Sequence, residues 1–323
     1  MKGSYQISVQ NNKVKYEFTI RRNITVIQGD SASGKTTLVD LIREHQLEGE
    51  ASGINLSCKK KCAVLEGQDW QQNLTLLKDS IIFIDEGNSF ISSKDFASAI
   101  KNTDNYYVLV TRESLENLPY SVKEIYGIHT SGKYAGLKQV YHEFYHIYDY
   151  EKEPAVSDVK QILTEDSNSG FDFFRGMSNG KYKCESAKGK SNIYLKLLQT
   201  KDNTLVVADG AAFGSQMAKI MRVISSRKNA LLFLPESFEY ILLQAELIKD
   251  SELSSIIATP EDYIDSKKYF SWEQFFTSFI SEKTKDSFLK YSKKKLNKNY
   301  LSESIKSKIL NSKAFTRIKG LFD

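Results

Sequence analysis

Strands and helices that alternate along most of the chain predict an α/β protein. The expected form is a three-layered, mostly parallel sheet, then a smaller α/β unit and a basic helical tail. Short apolar, β-branched runs recur with amphipathic stretches between them. One such run, Ile24-Thr25-Val26-Ile27, feeds a glycine-containing loop that opens a helix. The stretch from about Ser271 onward, by contrast, alternates apolar and lysine-rich positions at helical spacing.

Residues 5–9 and 14–20 read as two strands of a hairpin around Asn11-Asn12. Ile24–Ile27 is a short buried strand, and residues 37–44 form a helix with Leu38, Leu41 and Ile42 on one side. Strands follow at 63–65, 81–84 and 106–110, with a helix over 93–101 between the last two. The charged, proline-containing run at 149–158 reads as a linker. Beyond it strands are expected at 161–164, 182–184, 204–208 and 230–234. Helices are expected near 171–175 and at 192–198 and 215–224. The expected domains are 1–150, a linker at 151–158, a second α/β domain over 159–265, and the basic helical region 266–323.

With 323 residues, 41% apolar and 26% charged, the chain can build two cores and is too apolar for wholesale disorder. Its three cysteines cannot frame so long a chain with disulfides. No apolar run approaches the roughly 20 residues that span a bilayer, so no membrane partner is expected. The opening MKGSYQISVQNN resembles no targeting segment, and the expectation is a cytoplasmic protein. The net charge of +5 is unevenly spread. From Lys283 onward twelve basic residues face three acids, which leaves the rest of the chain net negative. Such a region suits DNA or RNA, or it is the solvated face of a lysine-rich helix.

Gly29-Asp30-Ser31-Ala32-Ser33-Gly34-Lys35-Thr36 fits GxxxxGK[ST] at every required position, between a strand and a helix. The two glycines let successive amides turn toward phosphate oxygens, and the helix adds its positive N-terminal end. Lys35 can reach the terminal phosphates, while the Thr36 hydroxyl can ligate Mg²⁺. Thr37 completes the binding segment. A partner acid belongs at the end of a neighbouring strand, and Ile81–Ile84 leads into Asp85-Glu86. Asp85 would hold the metal and Glu86 would polarise the attacking water.

The opening hairpin, the GxSxSGKTT-like loop and the Asp85-Glu86 pair resemble P-loop ATPases of the ABC-like and AAA types over about the first 130 residues. The resemblance implies a P-loop NTPase domain binding ATP with Mg²⁺. It also implies that Thr111, after the strand 106–110, senses the γ-phosphate. Arg112 would stabilise transition-state charge or lie on the surface. Gln68, Gln71 and Gln72 fall where some such ATPases carry a metal-contacting glutamine. No LSGGQ-like signature is present, which speaks against ABC-style sandwich dimers. No [NT]KxD motif follows the acid pair, which disfavours GTP.

In the second half, Glu165, Asp209 and Pro235-Glu236-Ser237-Phe238-Glu239 follow strands, and acids so placed converge on one sheet edge. The pattern resembles a Toprim domain, and the whole chain resembles ATPase-nucleases of the overcoming-lysogenisation type. That resemblance implies a second metal site at Glu165 and Asp209, nucleic-acid association and a role in phage defence. Ala211 stands where Toprim domains carry their second aspartate, so a degenerate, non-cleaving domain is expected. Asp166, Glu236 and Glu239 are the acids that could compensate.

Three motifs read as decoys. His142-Glu143-Phe144-Tyr145-His146 is a literal HExxH, but its aromatic and β-branched surroundings predict a strand, which separates the histidines too far to share zinc. Cys58 and Cys62 have no second ligand pair. Gly189-Lys190-Ser191 lacks the upstream glycine of a phosphate loop, and a helix N-cap at Ser191 is expected instead. The leading expectation is an ATPase whose nucleotide state gates the second domain. The alternatives are a slow or non-hydrolysing nucleotide-gated module, with a protein partner or as a homo-oligomer, and a P-loop kinase.

Overall fold

The computed structural model describes residues 1–29, 34–131, 139–151 and 158–322. They fall into two compact units. One comprises Met1–Tyr148 and Thr259–Ser271, the other Asp149–Ala258 and Trp272–Asp323.

The first unit is built on a nine-stranded sheet. β1 (Tyr5–Gln10) and β2 (Val14–Ile20) form the hairpin, and β3 (Ile24–Ile27) leads to α1 (Lys35–Glu48). The hairpin turns where the Asn11 side chain accepts hydrogen bonds from the Lys13 and Val14 amides, both at 2.9 Å. Then come β4 (Asn55–Ser57), β5 (Lys61–Val64), α2 (Trp70–Leu76) and β6 (Ser80–Ile84). α3 (Lys94–Ile100), β7 (Tyr106–Val110), β8 (Ile125–Thr130) and β9 (Val140–His146) complete the series.

The strand order is β4-β1-β2-β9-β8-β3-β7-β6-β5. From β8 through β3, β7 and β6 to β5 every pairing is parallel. The other end is mixed: β8 pairs antiparallel with β9, β9 parallel with β2, and β2 antiparallel with β1. The sheet is thus less parallel than the strand–helix alternation suggests, because the hairpin and β8–β9 extend one side of it. Period-2 alternation splits the buried residues between two faces. Phe83 and Val108 belong to the core that takes Leu38, Leu41 and Ile42 of α1. The neighbouring Tyr107 turns the other way and meets Phe96 of α3 edge-on at 6.0 Å. Helices therefore cover both faces.

The second unit carries a four-stranded, wholly parallel sheet in the order β11-β10-β12-β13. These are β10 (Gln161–Thr164), β11 (Lys183–Ser186), β12 (Thr204–Val207) and β13 (Ala230–Phe233). The helices α4 (Ser169–Ser178), α5 (Lys190–Gln199) and α6 (Met217–Arg227) connect them. α7 (Phe238–Gln244), α8 (Leu253–Ala258), α9 (Trp272–Lys283) and α10 (Glu303–Leu310) follow.

Two local expectations need correction. α5 starts at Lys190 with Gly189 as its N-cap at φ 127, so Ser191 lies inside the first turn. The basic region is helical only in part. Between α9 and α10 the chain runs through turns, since the Ser287 hydroxyl accepts from the Leu289 amide and Asn297 caps Asn299. Such side-chain bonds offer the backbone an alternative to the helix. Nor is this region a loose appendage: Leu289, Tyr291, Leu296, Tyr300, Ile309 and Phe315 are buried.

Candidate functional site

In the first unit, β3 is followed by Gln28 and Gly29. The Gln28 amide donates to the Tyr126 carbonyl at 2.8 Å and its side chain to the Glu113 carbonyl at 3.2 Å. Gly29 and Gly34 both have positive φ, 129° and 88°, conformations that glycine adopts without a Cβ penalty. Asp30, Ser31, Ala32 and Ser33 lie outside the described residues. Gly34 caps α1, and no acid in the first turn offsets the helix's positive end.

Lys35 is buried, and its ammonium returns to donate to the Gly29 carbonyl at 2.8 Å, tying the two ends of the loop together. Thr36 and Thr37 are exposed. Tyr16, deep in β2, donates its hydroxyl to the Gly34 carbonyl at 2.8 Å. Burial pushes the Tyr16 phenol up to about 12, with the Thr37 hydroxyl opposing.

β7 lies between β3 and β6, so the ends of these three strands share one sheet edge. Asp85 and Glu86 follow β6, and Thr111 and Arg112 follow β7. Asp85 accepts the Glu86 amide at 2.9 Å. Arg112 grips Glu86 with two hydrogen bonds, Nε to Oε2 at 2.9 Å and Nη2 to Oε1 at 2.8 Å. The buried Thr111 hydroxyl donates to the Glu113 carbonyl at 3.1 Å and accepts its amide at 3.0 Å. It is thus engaged in a local turn. Gln68, Gln71 and Gln72 are exposed.

The HExxH string lies on the strand β9. His142 stacks on Tyr16 with centroids 4.6 Å apart, while His146 packs on Tyr126. Burial lowers the His142 pKa, and its Nδ1 has no hydrogen-bond partner among the described residues. The string's first histidine thus packs against Gly34 from behind. Neither Tyr16 nor His142 stands out for this in the sequence. Their only local signal is apolar-face alternation in β2, because β2 and β9 meet through pairing across more than 120 residues.

In the second unit Glu165 follows β10 and Asp209 lies two residues past β12, across the point where the strand order reverses. The Asp209 amide donates to Glu165 Oε2 at 3.2 Å, and Asp209 Oδ1 accepts the Phe238 amide at 3.1 Å. A cavity of about 30 Å³ opens here, lined among others by Glu165, Asp166, Asp209, Glu239, Tyr291 and Lys293. That is room for about two waters.

Burial and the nearby Glu273 push Glu165 up to about 7. Burial, Glu273, Glu239 and Glu165 also raise Asp209 well above the ordinary aspartate range. Burial opposes the Lys293 charge, but Glu273, Glu239, Asp209 and Asp166 outweigh it and raise that pKa. Tyr291 donates to Glu239 at 2.6 Å and meets the Ser169 hydroxyl at 2.8 Å. Ala211 is buried, and Lys190 donates to the Ala212 carbonyl at 2.9 Å.

Among the described residues no group of three His, Cys, Asp or Glu side chains is placed to hold a metal ion. Glu165 and Asp209 are therefore a pair without a third donor of that kind. No described helix is long and apolar enough to cross a membrane. No family model matches the chain, and no match to a curated protein was found.

Proposed function

We propose that the chain binds Mg·ATP and hydrolyses it. The observation that carries this reading is the return of Lys35 from the first turn of α1 to the Gly29 carbonyl. It brings a buried ammonium, two positive-φ glycines and an uncompensated helix N-terminus to the end of a central parallel strand. In this reading the loop amides of residues 29–36 and Lys35 hold the phosphates. Thr36 and Asp85 hold Mg²⁺, Glu86 activates water, and Thr111 responds to the terminal phosphate once its turn opens. Nucleotide state would gate the second, Toprim-like domain, which contacts DNA or RNA through residues 283–323 in a cytoplasmic, phage-defence setting. Cleavage is not part of the proposal, since Ala211 takes a carboxylate position and the acid pair has no third donor among the described residues.

One observation favours the second reading, a slow, nucleotide-gated interaction module. Both Glu86 oxygens are occupied by Arg112, so the proposed base is held until that pair parts. Mg²⁺-dependent phosphate release from ATP separates the two, measured on wild type, Lys35→Ala and Glu86→Gln with and without plasmid DNA or RNA. Hydrolysis predicts turnover that Lys35→Ala abolishes and Glu86→Gln lowers by at least about 100-fold. Undiminished turnover in Lys35→Ala would sink the proposal. Tight ATP binding without turnover would select the gated module.

A further inference from the structure

The stretch between α9 and α10 holds one large apolar side chain out in solvent. Phe288 is 69% exposed, the only large hydrophobic so exposed among the described residues of 272–322. Its exposure is built in. The Asn297 and Asn299 side-chain amides both donate to the Phe288 carbonyl, at 2.8 and 2.7 Å. The Tyr300 hydroxyl donates to the next carbonyl, that of Leu289, at 2.6 Å. Leu289, Tyr291 and Tyr300 are buried, so the backbone on both sides of the ring is anchored in the core. The ring is therefore presented from a fixed turn.

Lysines surround this turn in sequence, and the asparagine clamps bring Lys298 beside it. Lys285 and Lys290 flank Phe288, and Lys298 sits between the two asparagines that hold its carbonyl. Lys294 and Lys295 occupy the connecting loop. All five are exposed, with Asp286 the one acid among them.

We infer that Phe288 and these lysines form a stacking platform for single-stranded nucleic acid. The chemistry is that of a sequence-tolerant binder: ammonium groups meet phosphates, and the ring takes a base face. A duplex hides its base faces in the stack, so the ring selects unpaired strands. An anionic bilayer is a poorer fit, because one aromatic ring offers little apolar area to insert and stable anchoring takes more than one signal. The inference narrows the nucleic-acid partner of the proposed function and does not depend on ATP binding.

The test uses the full chain and a fluorescein-labelled oligothymidine, with a duplex of equal length as competitor. Stacking of one base predicts that Phe288→Ala weakens oligothymidine binding roughly 5- to 150-fold, while Phe288→Trp keeps it. If each of the five lysines neutralises one phosphate, log affinity falls against log salt with a slope of about −3.5. Lys294→Glu with Lys295→Glu then makes that slope shallower. Equal binding by wild type and Phe288→Ala overturns the inference, as does preference for the duplex. Binding to phosphatidylserine vesicles without binding to oligothymidine overturns it as well. Oligothymidine binding by Lys35→Ala and ATP binding by Phe288→Ala, measured alongside, keep failure of the nucleotide reading distinct from failure of this one.

Discussion

Arg112 holds Glu86 through a fork of two hydrogen bonds, at 2.9 and 2.8 Å, across the adjoining strands β7 and β6. Paired planar groups of this kind add geometric specificity to charge attraction. A carboxylate so occupied is held away from proton abstraction, so if Glu86 is the proposed base, releasing it should expose it. Arg112→Ala is expected to raise basal ATP turnover several-fold with little change in ATP affinity. Single-turnover kinetics beside equilibrium binding would show it. A fall in turnover would make Arg112 a group that Glu86 needs in place.

Gly34 cannot take a side chain cheaply. Its φ is +88°, and an added Cβ would sit 2.7 Å from the Tyr16 hydroxyl and 3.0 Å from His142 Cε1, in a stack with little room to shift. Gly34→Ala should cost about 1–3 kcal/mol of stability and weaken ATP binding at the same time. Tyr16→Phe removes the closest of those atoms, so the double variant should recover part of the loss. Urea titrations of the four proteins in a double-mutant cycle would measure the coupling.

The acid pair of the second unit sets a pH dependence. Burial and neighbouring acids push Glu165 from the ordinary 4.5 up to about 7, and Asp209 moves in the same direction. The folded state thus holds these protons more tightly than the unfolded chain does. Their contribution to stability is full below about pH 4.5 and is lost as pH rises through about 7. The urea midpoint should fall between about pH 5 and pH 8, and Glu165→Gln should flatten that fall. An unchanged slope in Glu165→Gln would assign the dependence to other groups.

Gly210 is a close-approach position. Its amide donates to the Pro235 carbonyl at 2.6 Å, and a Cβ there would lie 2.5 Å from the Leu234 carbonyl oxygen. Those obstacles are backbone, so rotamer changes cannot relieve them. Gly210→Ala should destabilise the second unit by at least about 2 kcal/mol. Gly180→Ala, at a glycine with no neighbour in the Cβ position but φ +81°, should cost less. Thermal unfolding of both variants ranks them.

Local patterns in the sequence carried much of this fold. β3, β7 and β10 are bounded as their apolar runs are, because buried parallel strands need continuous apolar side chains, and β2 is bounded as its apolar-polar alternation is. The GxxxxGK[ST] string and Asp85-Glu86 stand out because each is a short local pattern, and the strands that precede them, β3 and β6, lie where the apolar runs are. What arises between distant strands does not stand out. The pairing of β2 with β9, which brings His142 to Tyr16, has no local signal. Nor does the approach of Lys293 to Asp209, 84 residues earlier in the sequence. The polar contest between helix and turn at Ser287, Asn297 and Asn299 was outweighed in the reading by the apolar spacing of Phe288 and Tyr291, and there the helical expectation failed.

The first unit takes its last segment from far along the chain. Gly3 donates its amide to the Glu261 carbonyl at 2.7 Å, and the Asn23 side chain donates to the Phe270 carbonyl at 2.8 Å. A gene divided within residues 152–157 would therefore encode two polypeptides that each own part of this unit. The shorter would lack the segment Thr259–Ser271, and the longer would carry it with no sheet to receive it. Co-expression of the two pieces is a route to a split protein, and co-purification of the pieces would report that they had found each other.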